Sequence, residues 1–317
     1  MNAVFKVDMS FTPRKNTSVI LSAKAGNDLL TVQDFVRYGV TKFNESGLFY
    51  GHGTTSAFDE AAFMVLESLS LPIDSLEPYW SARLTKTERK HLTDLIHRRV
   101  KTRLPAPYLL NKAYIQGFPF YVDERVLIPR SFIAEILCAE GGFKLAGDYA
   151  NVLSVLDLCT GSGCLAIIAA HIFPNATVDA ADLSADALDV ARQNVAAHGL
   201  EGRVNLIEGD LFAPLQGRKY DLIITNPPYV DAEGMDHLPP EYDHEPAMAL
   251  AAGADGLDIV RRIVDEAKEH LNPQGGMLCE LGRCGPDLTA AYPGVGFDWL
   301  DTENSKGEVF WITQDRL

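Results

Sequence analysis

Long apolar runs are missing from this sequence. None approaches the ~20 residues that a membrane-spanning helix requires, so no membrane partner is expected. The start of the chain has no basic stretch followed by an apolar core, and a signal peptide is not expected either. Cysteine is scarce: Cys138, Cys159, Cys164, Cys279 and Cys284 are odd in number, scattered and free of CxxC spacing. They indicate neither a disulfide framework nor a zinc site, and reduced thiols in the cytoplasm are the expectation. Positive charge is in deficit, with 28 Lys and Arg against 43 Asp and Glu and a net charge of −15. Phosphate binding is driven by Lys and Arg, so naked nucleic acid is not the expected main partner. A basic protein would be drawn to such a surface, although solubility alone explains the charge equally well. Internal repeats and low-complexity tracts are also absent.

What remains is a chain of 317 residues with 47% hydrophobic and 22% charged residues, enough for one large or two moderate domains. Residues 1–30 are polar and aperiodic, and read as a flexible extension. Three helical patterns follow. The first starts near Thr31 and places Val32, Phe35, Val36, Val40 and Phe43 on one face; the second gathers Phe58, Ala61, Ala62, Val65, Leu66 and Leu69. The third opens with a Thr85/Glu88 capping box and carries Leu92, Leu95, Ile96 and Val100. Lys86, Arg89, Lys90, Arg98, Arg99, Lys101 and Arg103 make its other face basic, which is either a solvated face or a contact for RNA. Phe118 to Val122 and Val126 to Pro129 flank Asp123-Glu124-Arg125 and suggest a short β-hairpin. From about Asn151 the pattern alternates: strands at 152–158, 176–181, 203–207, 220–225 and 277–281, with helices between them and two further strands in the tail. Such alternation predicts an α/β fold, a doubly wound parallel sheet with ligands at its carboxyl edge. The expected divisions are 1–30, a helical domain over 31–115, a hairpin linker over 116–134 and the α/β domain over 135–317.

Three strand ends carry adenosyl-binding chemistry. Asp157-Leu158-Cys159-Thr160-Gly161-Ser162-Gly163 closes the first strand and opens a helix, where glycines allow a ligand close to the backbone. Nineteen positions after Gly163, Asp182 ends the second strand beside Leu183, and its carboxylate can accept both hydroxyls of a ribose. Asp210, followed by Leu211 and Phe212, ends the third; it can accept from an adenine amine while an apolar neighbour packs on the ring. Gly161 to Ala166 formally matches the NAD fingerprint GxGxxG/A. A dehydrogenase, however, has no use for what ends the fourth strand. S-adenosylmethionine, which leaves as S-adenosylhomocysteine, lacks a pyrophosphate and needs one glycine turn with acidic strand ends. It is the expected cofactor.

The fourth strand ends in Asn226-Pro227-Pro228-Tyr229. Asn-Pro and Pro-Pro are common turn dipeptides. The tetrapeptide also fits a clamp: the Asn226 side-chain oxygen and the Pro227 carbonyl can accept both hydrogens of a planar NH2 group, with Tyr229 and Pro228 against its face. The nitrogen so held would be oriented toward a methyl donor bound at the neighbouring strand ends, Asn226 touching both. No base is needed beforehand, because the proton becomes acidic only as the N–C bond forms. The long 231–246 segment that follows offers Tyr242, His244 and Glu245 as candidates for holding a substrate backbone, or as a lid. A metal site from Glu233, His237 and His244 is possible on paper, but clamp chemistry has no role for a metal and none is expected.

These residues resemble class I S-adenosylmethionine-dependent methyltransferases, a Rossmann-like fold, and in particular those that methylate amino groups of glutamine, adenine or cytosine. The helical N-terminal part, Val126-Leu127-Ile128-Pro129-Arg130, the clamp, and Glu245-Pro246 through Leu250 to Gly256 together resemble the HemK family of protein glutamine N(5)-methyltransferases. Tyr50-Gly51-His52-Gly53-Thr54, the stretch from Tyr121 to Ser131, and Tyr229-Val230-Asp231-Ala232-Glu233 resemble its PrmB branch. Phe132 stands where that branch has proline, and Arg283-Cys284 has no counterpart. The resemblance implies that the large-subunit ribosomal protein L-three, free or within an assembly intermediate, is the substrate. It implies a substrate-recognition role for the helical domain and for Arg130, Tyr229, Glu245 and Pro246, with ribosomal RNA contact possible through residues 86–103. Release-factor glutamine methylation is the rival within the family. A DNA amino-methyltransferase and a non-catalytic ribosome-assembly factor are rivals outside it.

Overall fold

The computed structural model describes residues 28–139 and 151–317. Of the flexible extension expected over residues 1–30, residues 1–27 lie outside the described residues. Leu29, by contrast, is buried among the first helices, and the Leu30 carbonyl accepts from Leu84 N–H.

Helices α1 (Val32–Glu45), α2 (Ala57–Ser68), α3 (Lys86–Thr102) and α4 (Ala106–Leu110) share one apolar core. Local chemistry starts each of the first three. Thr31 and Asp34 close a capping box on α1, Ser56 caps α2, and Thr85 and Glu88 close a second box on α3. Val32, Phe35, Val36 and Phe43 are fully buried, each contributing roughly 1.5–3 kcal/mol of burial. Two expectations fail here. Phe58 points outward and is 48% exposed, because Ala57 and Glu60 turn the buried face of α2 away from it. Arg99 does not belong to the solvated basic face: its guanidinium is fully buried, donating to Glu60 at 2.7 Å.

The hairpin is real but displaced. Strands β1 (Ala113–Ile115) and β2 (Phe118–Phe120) pair antiparallel around Gln116-Gly117, both with positive φ. Such two-residue turns match the twist of the strands they join. Residues 121–130 do not form the second strand. Pro129 cannot donate, and the Ile128 N–H is taken by Glu245 Oε1 at 3.0 Å. Helix α5 (Phe132–Cys138) then packs against the sheet domain.

The sheet runs β5-β4-β3-β6-β7-β9-β8, from β3 (Ser154–Leu158), β4 (Thr177–Asp182), β5 (Val204–Glu208), β6 (Tyr220–Thr225), β7 (Leu271–Glu280), β8 (Asp298–Asp301) and β9 (Lys306–Thr313). The first five strands of that order are parallel, and β9 is antiparallel to both its neighbours. Alternate residues face two cores: Val155, Leu222 and Ile224 one side, Leu156, Leu158 and Ile223 the other. Helices α6 (Cys164–Ile172) and α7 (Ala185–Ala197) cover the first face, and α9 (Asp258–Ala267) the second, with the short α8 (Ala232–Asp236) and α10 (Gly285–Ala291) between elements. Strand order reverses between β3 and β6, the point at which open α/β sheets bind ligands. The register Leu158↔Thr225 sets the glycine turn and Asn226 side by side at that point.

Candidate active site

The turn after β3 is tied from behind. Asp157 is buried; its Oδ2 accepts from Thr160 Oγ at 2.5 Å and Ala166 N–H at 3.0 Å. Its Oδ1 has no partner, and burial pushes the carboxyl up to about 7. Cys159, Gly161 and Gly163 all take positive φ, and a Cβ on Gly163 would lie 3.2 Å from Ala191 Cβ, so α6 and α7 approach closely only over glycine. Ser162 is buried, its carbonyl accepting from Asn194 Nδ2 at 2.8 Å. Asp157, Thr160, Ser162 and Gly163 therefore shape the turn and do not face the cleft.

The cleft itself encloses about 810 Å³, its open mouth included, and is lined by Cys159, Gly161, Asp182, Leu183, Asp210 and Leu211 together with Asn226, Pro228 and Pro246. Asp182 accepts from Gly161 N–H (2.8 Å) and Ser184 N–H (2.9 Å), and the Leu183 backbone N–H also favours its charged form. A carboxylate has about four acceptor positions, so capacity remains for a ribose hydroxyl. Burial raises the Asp182 carboxyl above its ordinary value. Asp210 holds Arg262 at 2.8 Å on the rim. Leu183 is 59% exposed, an apolar side chain at the mouth of the cleft. The residues present fit an adenosyl cofactor.

A second cavity, about 530 Å³, is lined by Arg130, Asn226, Pro227, Tyr229, Tyr242 and neighbouring apolar groups. Asn226 lines both cavities. Its Oδ1 is buried and has no hydrogen-bond partner, a condition that costs roughly 1–3 kcal/mol. Tyr229 is positioned by Glu280 at the end of β7: the phenol donates to Glu280 Oε1 at 3.2 Å, while Oε2 accepts from Ser131 Oγ (2.6 Å) and Phe132 N–H (2.8 Å). Burial pushes Glu280 up to about 7.

Arg130 and Glu245, both expected near substrate, hold each other: two N–H···O bonds of 2.6 and 2.7 Å join them. Glu245 is buried. Burial would push its carboxyl up, but Arg130 and His52 outweigh that and hold it at about 2. Its carboxylate lines neither cavity, and Arg130 alone of the pair does. Pro246 lines the first cleft and not the second cavity, because Val230 N–H and Ala252 N–H tie residues 230 and 250–252 together and fold 246–249 over that cleft. His237 bonds the Glu233 carbonyl and His244 meets Glu124 and the Thr102 carbonyl. No metal-ligating cluster occurs among the described residues.

Glu280, Glu241 and His52 went unnoticed as site residues in the sequence. For Glu280 the signal existed: it ends an apolar strand as Asp182 does. His52 lies inside the Tyr50-to-Thr54 segment that carried the branch resemblance. Nothing local marks Glu241.

The glycine turn, the acidic strand ends and the Asn-Pro-Pro-Tyr corner on this sheet define a class I methyltransferase. Residues 147–238 match the Methyltransferase small domain family. The ribosomal protein uL3 glutamine methyltransferase of Bradyrhizobium diazoefficiens is 57% identical over 92% of this chain and 93% of its own length. The enzyme of that name from Neisseria meningitidis serogroup A is 50% identical over 94% and 98%. The chain belongs to the ribosomal protein uL3 glutamine methyltransferase family. Among solved structures, ribosomal protein L11 methylase from Lactobacillus delbrueckii subsp. bulgaricus aligns over 54% of this chain and 78% of its own, with 23% identity and a TM-score of 0.36. No helix among the described residues is long and apolar enough to cross a membrane.

Proposed function

We propose that this protein methylates the side-chain amide nitrogen of a glutamine in ribosomal protein uL3, with S-adenosylmethionine as the donor. The observation that carries the reading is the orphaned Asn226 Oδ1, a buried acceptor at the junction of the two cavities. Bound in the larger cleft, the cofactor supplies an electrophilic methyl group on a cationic sulfur. The chain's own residues do the rest. An amide nitrogen is a weak nucleophile because its lone pair is delocalised into the carbonyl. Asn226 Oδ1 accepts one of its N–H groups and the Pro227 carbonyl the other, which fixes the nitrogen at the edge of the cofactor cleft. Asn226 Oδ1 is already free where positive charge develops on nitrogen, so little reorganisation of that acceptor accompanies the step, and the N–H proton that becomes acidic as the N–C bond forms leaves to solvent. Tyr229, braced by Glu280, packs against the amide plane.

The names of the relatives favour uL3 over a release factor, and the net charge of −15 disfavours DNA. Lys86, Arg98 and Lys101 remain exposed on α3 and would meet ribosomal RNA if the substrate is an assembly intermediate. The work would be done in the cytoplasm, where ribosomes are built. Mass spectrometry decides the matter: free uL3, ribosomal precursors and release factors are each incubated with enzyme and labelled S-adenosylmethionine. Label on a uL3 glutamine is expected, and label confined to a release factor or to nucleic acid would overturn the reading.

A further inference from the structure

Glu241 lies outside both cavities, yet we propose that it is a positioning residue through which the helical bundle sets the outer wall of the acceptor cavity; the proposal rests on the glutamine-methylation reading above. The wall comes from a segment with little structure of its own. Between α8 and α9 the chain makes only short 3-10 turns, at Pro240–His244 and Ala247–Ala249, yet it supplies Leu238, Tyr242 and Leu250 to the cavity. Something outside the segment must fix it.

Glu241 is its buried fixing point on the bundle, as Glu245 is on Arg130 and the Ile128 N–H. Glu241 is fully buried and carries charge into the core of another part of the chain. Its Oε1 accepts from Phe49 N–H at 3.0 Å, is ion-paired with Arg103 Nη2 at 2.8 Å, and lies 3.7 Å from Arg99 Nη1; Arg103 itself donates to the Ser46 and Gly47 carbonyls. Arg99 in turn holds Glu60 on α2 at 2.7 Å. Two carboxylates and two guanidiniums thus meet between the bundle and the segment. Buried ionic groups of this kind are a poor route to stability, since apolar residues of equal volume serve as well or better. Their bonds are directional, however, and direction is what an irregular segment lacks.

The next residue passes that constraint to the cavity. The Tyr242 ring packs on His52 with centroids 4.5 Å apart, and the Arg130 guanidinium lies over it at 5.5 Å. Tyr242 and Arg130 both line the acceptor cavity, and neither lines the cofactor cleft. Displacing Glu241 therefore disturbs acceptor binding, while Pro246, Met248 and Ala249, which this segment lends to the donor cleft, stay held by the bonds between Val230 and residues 250–252.

The test compares Glu241→Gln, Arg103→Met and the double variant with wild type in steady-state methylation of uL3, alongside calorimetric titration with S-adenosylmethionine. Glu241→Gln is expected to raise KM for uL3 about tenfold while kcat stays within about twofold, the pattern of lost binding shared by ground and transition states. Arg103→Met should raise KM in the same direction, and the double variant should fall short of the sum of the two single effects, since the ion pair is shared and only the Arg103 bonds to the Ser46 and Gly47 carbonyls are lost in addition. Cofactor affinity should hold. An unchanged KM in folded Glu241→Gln overturns the proposal, and so does a parallel loss of cofactor affinity, which would mean general loosening. Should Glu241→Gln fail to fold, Arg103→Met, whose side chain is 29% exposed, carries the test alone. If wild-type enzyme leaves uL3 unmethylated, the functional reading has failed and not this inference.

Discussion

Replacing Asn226 by alanine should separate activity from stability in opposite directions. In the free protein Asn226 Oδ1 has no hydrogen-bond partner, so removing it breaks no bond. It relieves a buried unsatisfied acceptor worth roughly 1–3 kcal/mol, offset by the packing lost with the carboxamide. The half-buried position lets water enter, and the net change in stability should fall between zero and a gain of about 1 kcal/mol. Activity moves the other way. One preoriented acceptor is lost from the developing charge, and removal of a comparable single group costs about 10²–10³ in kcat. The assay is single-turnover methyl transfer from labelled S-adenosylmethionine to uL3, run beside thermal unfolding and cofactor titration. The expected result is a kcat down at least a hundredfold with an unfolding temperature at or above wild type. A kcat within a few-fold of wild type would refute the clamp. A joint fall of kcat and stability would show Asn226 to be a structural residue.

Three further outcomes follow from the surrounding groups. Burial raises Glu280 from 4.5 to about 7, so the native state prefers its protonated form; that stabilisation is full below pH 4.5 and lost as pH rises through 7, by roughly 3 kcal/mol. Glu280→Gln stays neutral and should gain on wild type by about that amount between pH 5 and pH 8 in urea unfolding; an equal difference at both pH values would contradict the assignment. Glu245 has the opposite sign, since its folded value of about 2 lies below 4.5: its contribution is present above pH 4.5 and lost as pH falls through 2. Glu245→Gln should cost about 3 kcal/mol at pH 7, shrinking toward zero in acid, as urea titrations at a series of pH values would record. Gly282 has φ +54°, and a Cβ there would lie 2.7 Å from the Tyr229 ring. Gly282→Ala should lower kcat about tenfold and stability by about 1–2 kcal/mol, readable from initial rates and thermal unfolding; full activity would mean that the placement of Tyr229 is unimportant.

Features fixed by neighbouring residues were legible in the sequence. The continuous apolar run of β6, stopped by Asn-Pro-Pro, gave that strand residue for residue as Tyr220–Thr225, and the Thr85/Glu88 capping box gave the start of α3. Features fixed from a distance were not. The apolar run Val126-Leu127-Ile128-Pro129 resembles a strand, but its backbone is diverted to Glu245, more than a hundred positions away. Asn272-Pro273-Gln274-Gly275-Gly276 has turn composition, yet it is drawn into β7 through the pairing Tyr220↔Leu271 and an irregular register beside it. Arg99 sits beside Arg98 in the sequence and reads as surface charge. Only folding brings Glu60 and Glu241 to it.

The same division explains why the clamp names a reaction without naming a substrate. In the proposed clamp Asn226 Oδ1 offers only an acceptor, so the group it takes must bring an N–H. A glutamate side chain would set acceptor against acceptor, and a buried site built for an N–H rejects analogues lacking it by as much as about 10⁴-fold. That selectivity is local, carried by one atom at the end of β6, and it operates equally on a glutamine in any protein. Choosing among glutamines requires surface beyond the tetrapeptide. The acceptor cavity draws that surface from Arg130 after the hairpin and Tyr242 in the following segment, the latter held by Phe49, Arg99 and Arg103 of the helical bundle through Glu241. Chemistry is thus set at the strand end, and access to it by a wall whose geometry belongs to another core.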